Sequence, residues 1–291
     1  MVVSRRHFFI GGVALGLAAC SGGSGTSADG ASSVAMPSAA SSEGMFLSGD
    51  ANLFYRLDVP AGPGPHPAVV MGHGSGMATL AEGAAFVPMF NNAGFAVLRY
   101  DKRGVGQSTG TYRGLSAANS ASQVDELAGD MVAGVNFLRT LRAINATRIG
   151  LFGVSQAGWI MIAAARKTAD IRFFIATVGS TLPVGANIFY ERLPTTNSLD
   201  ANYAALSTFA GEPGWDPKPS MTALSIPALW LLGADDRLVP TRECVKTIAA
   251  MQQTGARFKA FTYANVGHEL SAFTGRFETD MLAWMAAEGL R

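Results

Sequence analysis

Short apolar runs alternate with longer helical stretches through most of this sequence, and this alternation constrains the fold more than any other feature. Continuous apolar runs are typical of strands buried on both faces, and strands separated by helices usually pair in parallel. Residues 52–59 instead alternate apolar and polar side chains, as expected of an antiparallel edge strand. The remaining predicted strands are residues 68–71, 96–100, 149–152, 173–178, 228–232 and 258–263, and the predicted helices are residues 78–92, 121–143, 156–167, 241–253 and 272–288. The pattern predicts an α/β fold with a mostly parallel central sheet and helices on both faces.

One connection is too long for this rhythm. Residues 179–227 join two predicted strands, whereas a crossover between parallel strands needs only about a dozen residues. Such an excess is typical of a lid or a binding loop. Its aromatic side chains are expected either to roof a substrate pocket or to form the core of the lid itself. They are Phe189, Tyr190, Tyr203, Phe209 and Trp215.

The beginning of the chain differs in composition from the rest. Arg5 and Arg6 precede an apolar stretch that is too short to span a bilayer and that ends in small residues before Cys20. Residues 4–9 resemble a twin-arginine export signal, and residues 17–20 resemble the lipobox of bacterial lipoproteins, in which the cysteine is lipidated. We expect residues 1–19 to be a signal peptide and Cys20 to anchor the protein by acyl chains in the bacterial cell envelope, in the periplasm or at the outer surface. The alternative is a cleaved Sec-type signal with a cysteine that has no role.

Residues 20–44 are predicted to be a flexible tether, because Ser, Gly and Ala dominate and few large apolar side chains are present. The folded domain is expected to comprise residues 45–291. The only other cysteine, Cys244, then has no disulfide partner and is expected to be a small buried apolar residue. A formal net charge of +1 without runs of like charge argues against a nucleic-acid partner and favours a small neutral molecule.

Ser155 is the candidate nucleophile. It lies in the segment Gly-Val-Ser-Gln-Ala-Gly, directly after a predicted strand and directly before a predicted helix. A serine at such a sharp turn projects its hydroxyl at the edge of the sheet, and small residues are needed two positions before and after it. Gly153 and Ala157 meet this requirement, although Ala157 replaces the commoner glycine.

The base is found by elimination among four histidines. In folds with this turn, an acid and then a histidine follow the serine along the chain. His7, His66 and His73 all precede Ser155, which leaves His268. His268 comes shortly after the last predicted strand, where a loop can present its ring over the carboxyl edge of the sheet.

The acid is expected directly after strand 228–232, where two aspartates are adjacent. We select Asp236 as the residue that orients the histidine. Asp235 is the alternative, and it is more typical of a turn or helix-capping residue. Glu269 is next to the histidine in an extended loop and is expected to be solvated.

These residues predict nucleophilic catalysis. His268 would remove the proton of Ser155, and ionised Asp236 would fix the imidazole tautomer. The oxyanion requires two fixed donors, for which backbone N–H groups are suited. We expect them to be the N–H of Gln156, at the start of a helix, and that of Ser75, in the glycine-rich turn after strand 68–71.

Together these segments resemble the α/β-hydrolase superfamily over residues 45–291, with a mixture of esterase, thioesterase and dienelactone-hydrolase-like features. The resemblance implies an enzyme without a cofactor, and it implies that Asp101 and Arg103 brace the structure. Dehalogenases and epoxide hydrolases of this superfamily carry an aspartate where this chain has Ser155. No metal-spaced cluster or dinucleotide motif is present in the sequence. The four segments are residues 73–76, 100–108, 153–158 and 233–240, the last followed by Gly267 and His268.

Three functions remain open at this point. The first is hydrolysis of carboxylic esters with small or medium acyl groups. The second is a peptidase, amidase or thioesterase with the same three residues. The third is a surface lipoprotein that binds a ligand without catalysis.

Overall fold

The computed structural model describes residues 39–269 and 275–291. Within these residues the chain forms one eight-stranded sheet and eight α-helices. The strands are β1 (Ala40–Ser48), β2 (Ala51–Val59), β3 (His66–Gly72), β4 (Ala96–Tyr100), β5 (Ile144–Val154), β6 (Ile171–Thr177), β7 (Ala228–Gly233) and β8 (Phe258–Tyr263). The helices are α1 (Val87–Asn92), α2 (Ser120–Arg139), α3 (Ala157–Lys167), α4 (Val184–Glu191), α5 (Leu199–Ser207), α6 (Lys218–Thr222), α7 (Thr241–Gln253) and α8 (Arg276–Ala287).

The strand order in the sheet is β1-β2-β4-β3-β5-β6-β7-β8. β1 and β2 are antiparallel, β2 is antiparallel to β4, and every other neighbouring pair is parallel. This confirms the mostly parallel sheet predicted from the alternation of strands and helices. It also means that the loops after β3, β5, β7 and β8 all emerge at the same edge of the sheet.

The core lies on both faces of the sheet. On β6, Phe173 belongs to one apolar cluster and Phe174 to the other, and Leu229 and Trp230 on β7 divide in the same way. Side chains that alternate between two buried faces explain why these strands appear in the sequence as continuous apolar runs. Helices α1 and α8 cover one face, while α2, α3 and α7 cover the other.

The N-terminal boundary differs from the prediction. β1 begins at Ala40, so residues 40–44 are part of the sheet and not of the predicted tether. Their side chains are mostly exposed, and the strand is held by backbone pairing from Ala40 opposite Val59 to Ser48 opposite Ala51. Backbone pairing needs no apolar side chains, which is why composition gave no sign of it. β2 is consequently an inner antiparallel strand and not the edge that the sequence predicted. Residues 20–38 of the tether and residues 1–19 lie outside the described residues.

The first predicted helix, residues 78–92, is also shorter than expected. A 3₁₀ turn at Ala84–Phe86 leads into α1, and residues 78–83 form turns. The backbone of Leu80 is hydrogen-bonded to side chains on β4 and in the loop after it, its carbonyl to Arg99 and its N–H to Asp101. These tertiary bonds compete with the helical pattern that the apolar spacing favours.

Residues 179–227 contain three short helices, α4 to α6. Their aromatic rings pair with one another: Phe189 with Phe209 and Tyr190 with Tyr203, each pair at 5.3 Å between ring centroids. Both pairs pack against the main core, so these rings form an interior of the segment. None of the helices in residues 39–269 and 275–291 is long and apolar enough to cross a membrane.

Candidate active site

The turn between β5 and α3 places Ser155 at the carboxyl edge of the sheet. Its φ of 54° lies in the left-handed region that residues with a Cβ rarely adopt. The Ser155 N–H donates to the carbonyl of Thr177 on β6 at 2.9 Å, which holds the turn against the neighbouring strand. A strained serine at this position presents its hydroxyl to the space above the sheet.

Close packing around the turn explains its small residues. A Cβ added to Gly153 would lie 2.4 Å from the Cβ of Ala157, and one added to Gly72 of β3 would lie 2.9 Å from the same atom. The methyl group of Ala157 therefore fills the space between two glycines. The turn therefore accommodates alanine in place of the commoner glycine while β3 and β5 remain paired, with Gly72 opposite Gly153.

The structure brings Ser155, His268 and Asp236 together. His268 Nε2 lies 3.0 Å from Ser155 Oγ, and His268 Nδ1 lies 2.8 Å from Asp236 Oδ2. The imidazole is buried and the carboxylate is fully buried. With Nδ1 protonated and donating to the carboxylate, Nε2 is free to accept the serine proton.

Asp236 is held in place by the loop in which it lies. Its Oδ1 accepts the N–H groups of Leu238 and Val239 at 2.8 and 2.9 Å, and Tyr190 of α4 donates its hydroxyl proton to the Asp236 carbonyl at 3.1 Å. The alternative acid, Asp235, is exposed. The residue that contacts the histidine is therefore Asp236.

The loops that carry the acid and the histidine touch directly. The Asp235 N–H donates to the Val266 carbonyl at 2.9 Å, and a Cβ added to Gly233 would lie 2.3 Å from the Gly267 carbonyl oxygen. Glycine is needed at 233 for this approach. Glu269, next to the histidine, is exposed as the sequence predicts.

The two backbone donors expected for an oxyanion are both without an acceptor in the described part of the chain. The Gln156 N–H stands at the start of α3, and the Ser75 N–H lies in the loop after β3. The N–H groups on either side of Ser75 are satisfied: that of Gly74 donates to Glu82 Oε1 at 2.6 Å, and that of Gly76 donates to the Tyr112 hydroxyl at 3.3 Å.

A buried lysine that the sequence analysis did not select lies between these two donors. Lys102 is 2% exposed, and its Nζ contacts Gly74 O at 2.7 Å, Gly76 O at 2.9 Å and Gln156 Oε1 at 3.2 Å. Burial lowers the pKa of Lys102 to about 8, although the nearby negative charge of Glu82 acts to raise it. The signal in the sequence was a lysine two residues after a buried strand, a position where a charged side chain needs partners.

Two other groups near the site are uncharged at neutral pH. Burial lowers the pKa of His73 to about 3, and its ring donates to the Tyr100 carbonyl. Burial raises the pKa of the Cys244 thiol to about 11. His73 is therefore a neutral donor, and Cys244 is a poor nucleophile.

Asp101 and Arg103 lie in the loop after β4 and bind other parts of the structure. Asp101 accepts the N–H groups of Leu80 and Gln107, and Arg103 forms a two-point ion pair with Asp130 of α2. Neither is hydrogen-bonded to Ser155, His268 or Asp236 among the contacts of the described residues.

A family model described as the prolyl oligopeptidase family matches residues 85–288 of this chain. Three solved structures are also similar. An esterase from Pyrococcus furiosus superposes with a TM-score of 0.67 at 15% identity and covers 86% of this chain and 92% of that chain. An acylaminoacyl peptidase from Pyrococcus horikoshii gives 0.62 at 15% identity, with 86% and 42% covered. A 2,6-dihydroxy-pseudo-oxynicotine hydrolase gives 0.61 at 18% identity, with 87% and 68% covered. At these identities the likeness concerns the fold, and it confirms the predicted α/β-hydrolase fold.

Two curated relatives come from Escherichia coli, each an uncharacterized 31.7 kDa protein in the traX-finO intergenic region. They are 28% and 27% identical to this chain over 146 residues. The matched region spans about half of this chain, and the chain spans about half the length of these relatives.

Proposed function

Because the chain belongs to the prolyl oligopeptidase family, we propose that it is a serine hydrolase that forms an acyl-enzyme on Ser155, with His268 as the base and Asp236 as the orienting acid. The observation that carries the proposal is the continuous path of hydrogen bonds from Ser155 Oγ through the His268 ring to the buried Asp236 carboxylate.

Acylation follows from this path. His268 Nε2 removes the hydroxyl proton as Ser155 Oγ attacks the acyl carbon, and Asp236 stabilises the imidazolium that forms. The imidazolium then protonates the leaving group, which departs as the bond between it and the acyl carbon breaks. Water enters, loses a proton to Nε2 and attacks the acyl carbon. The imidazolium returns this proton to Ser155 Oγ as the bond between Oγ and the acyl carbon breaks, which releases the carboxylic acid and restores the free enzyme.

The N–H groups of Gln156 and Ser75 would stabilise the negative oxygen of each tetrahedral intermediate. In other enzymes, removal of one such donor lowers turnover by about 10² to 10³-fold. Both groups lack another acceptor in the described structure, which supports their assignment to this role.

Carboxylic esters with small or medium acyl groups are the substrates that we propose first. Departure of an alkoxide depends little on protonation, whereas an amine has to be protonated by the imidazolium as the bond breaks. Ester cleavage therefore needs fewer contacts beyond Ser155, His268 and Asp236 than amide cleavage does. We propose that the segment 179–227 acts as a lid, since α4 contacts the acid loop through Tyr190.

Cleavage of a peptide or another amide is the second candidate. The family match favours it, since this is the family of prolyl oligopeptidases. The same residues serve this chemistry, provided that the substrate's leaving nitrogen lies within reach of His268 Nε2.

The triad assignment predicts which substitutions abolish catalysis. The protein should be labelled at one site by a fluorophosphonate probe, and Ser155→Ala should remove the label. His268→Ala should reduce turnover by at least about 10³-fold while thermal unfolding stays similar, because the nucleophile is then without its base. His66→Ala and Ser225→Ala provide matched substitutions outside the site. An unlabelled wild-type protein would instead favour the non-catalytic binding lipoprotein.

A paired substrate panel separates the two enzymatic candidates. p-Nitrophenyl esters of increasing acyl length are compared with aminoacyl anilides by kcat/KM, using Ser155→Ala as the blank. The proposal of an esterase predicts that short or medium esters exceed the best anilide by orders of magnitude. Comparable values for an anilide would favour the peptidase.

A further inference from the structure

We propose that Lys102 is a positioning residue that holds the two backbone donors of Ser75 and Gln156 at the separation that one oxyanion requires. The inference rests on the proposed function, since it assigns a role in the same reaction to a side chain that makes no hydrogen bond to Ser155, His268 or Asp236 in the described structure.

The first half of the case lies in the loop after β3. Lys102 Nζ donates to the carbonyls of Gly74 and Gly76, one on each side of Ser75. In a trans peptide the N–H of a residue points opposite to the preceding carbonyl, so a fixed Gly74 carbonyl also fixes the direction of the Ser75 N–H. That N–H consequently points away from the ammonium group and is left free for another acceptor.

The second half lies at the turn that carries Ser155. Gln156 supplies the other backbone donor, and the Oε1 of its buried side chain accepts a hydrogen bond from the same ammonium group at 3.2 Å. An ammonium group has three protons, and here three acceptors are available, two on the loop and one on the turn. Lys102 therefore connects the two segments whose spacing defines the oxyanion site.

The protonation state of Lys102 matters for this connection. The groups around it are the Glu82 carboxylate, the face of the Tyr112 ring at 4.3 Å from Nζ, and neutral His73. A neutral amine has only two protons and a lone pair, so one of the three acceptors must lose its donor. Burial lowers the lysine pKa to about 8, so this loss falls within the working range of an enzyme assay.

The direct test is Lys102→Met, which keeps an unbranched side chain one atom shorter than lysine and removes the charge and the donors. We expect kcat for a p-nitrophenyl ester to fall by about 10- to 100-fold with a smaller change in KM, because the oxyanion site acts on the transition state. Wild-type kcat should fall as pH rises through about 8, and the variant should lack this alkaline decline. Lys246→Met on the exposed surface of α7 is the matched control and should behave like wild type.

A second variant tests the role without removing the lysine. Glu82→Gln retains an oxygen that can accept from the Gly74 N–H but removes the charge that raises the Lys102 pKa. The alkaline decline of kcat should therefore move to lower pH. A merely structural role for Lys102 predicts lower thermal stability with no such movement.

The outcomes separate this inference from the proposed function. If wild-type protein shows no Ser155-dependent turnover, both are overturned. If wild-type protein is active while Lys102→Met retains wild-type kcat and its alkaline decline, only the role of Lys102 is overturned. If Lys102→Met does not fold, the Glu82→Gln profile decides, and an unchanged or upward-shifted decline rejects the inference.

Discussion

At the residue scale, the buried carboxylate of Asp236 depends on the hydrogen bonds around it. A fully buried carboxylate is unfavourable unless its oxygens are hydrogen-bonded. Here one oxygen accepts hydrogen bonds from two backbone N–H groups, and the other accepts one from the His268 ring. The charge is therefore compensated in only one orientation of the carboxylate. Asp235, its exposed neighbour, has no comparable surroundings.

This difference predicts unequal effects of two adjacent substitutions. Asp236→Asn should lower kcat by about two to four orders of magnitude, because an amide NH₂ facing Nδ1 favours the wrong imidazole tautomer. Asp235→Asn should leave kcat within a few-fold of wild type. Steady-state kinetics on one ester give kcat for both variants, and thermal unfolding compares their stability. Equal losses in the two variants would contradict the selection of Asp236.

At the element scale, close backbone contacts hold together the parts of the segment 179–227. The Gly185 N–H near the start of α4 donates to the Pro213 carbonyl at 2.7 Å, and a Cβ added to Gly185 would lie 1.9 Å from the Glu212 carbonyl oxygen. The other end of α4 contacts the acid loop through Tyr190. Displacement of α4 would therefore disturb the hydrogen bond from Tyr190 to the Asp236 carbonyl.

Two glycine-to-alanine substitutions in helices test this close packing. Gly185→Ala should destabilise the protein by about 2 kcal/mol or more, because backbone has to move to make room. Gly129→Ala in α2, where an added Cβ meets nothing within 4 Å, should stabilise it by roughly 0.5 to 1 kcal/mol. Urea unfolding gives both values. A stable Gly185→Ala variant with unchanged kcat would show that α4 tolerates displacement.

At the scale of the whole molecule, the parallel sheet gathers the reactive groups. Ser155 follows β5, Asp236 follows β7 and His268 follows β8, and these strands end at one edge although the residues are far apart in sequence. We also propose that this domain is exported by residues 1–19 and anchored through Cys20, all of which lie outside the described residues.

Lipid anchoring predicts where the protein is found after expression in a bacterial host. Wild-type protein should partition into detergent in a Triton X-114 separation, and Cys20→Ser should move it to the aqueous phase, because the acylated thiol is lost. Cys244→Ala is the matched control and should remain in the detergent phase. Partition of wild type into the aqueous phase would favour the Sec-type alternative.

The sequence by itself determined the elements with strong periodic patterns and the candidates that are scarce. Buried strands such as β4 and β7 and the helix α7 have apolar patterns that burial on a sheet imposes directly. His268 followed from the presence of only four histidines and the order of the three residues, and Ser155 followed from its place between a strand and a helix.

Tertiary structure decided what depends on partners distant in the chain. β1 is held by backbone pairing that leaves no mark on composition, and residues 78–83 are diverted from a helix by bonds to Asp101 and Arg99. The choice between Asp236 and Asp235 as the acid required the position of the imidazole. Lys102 became visible only when the loop after β3 and the turn at Ser155 were placed around it, because three acceptors that satisfy one ammonium group come from segments that only folding brings together.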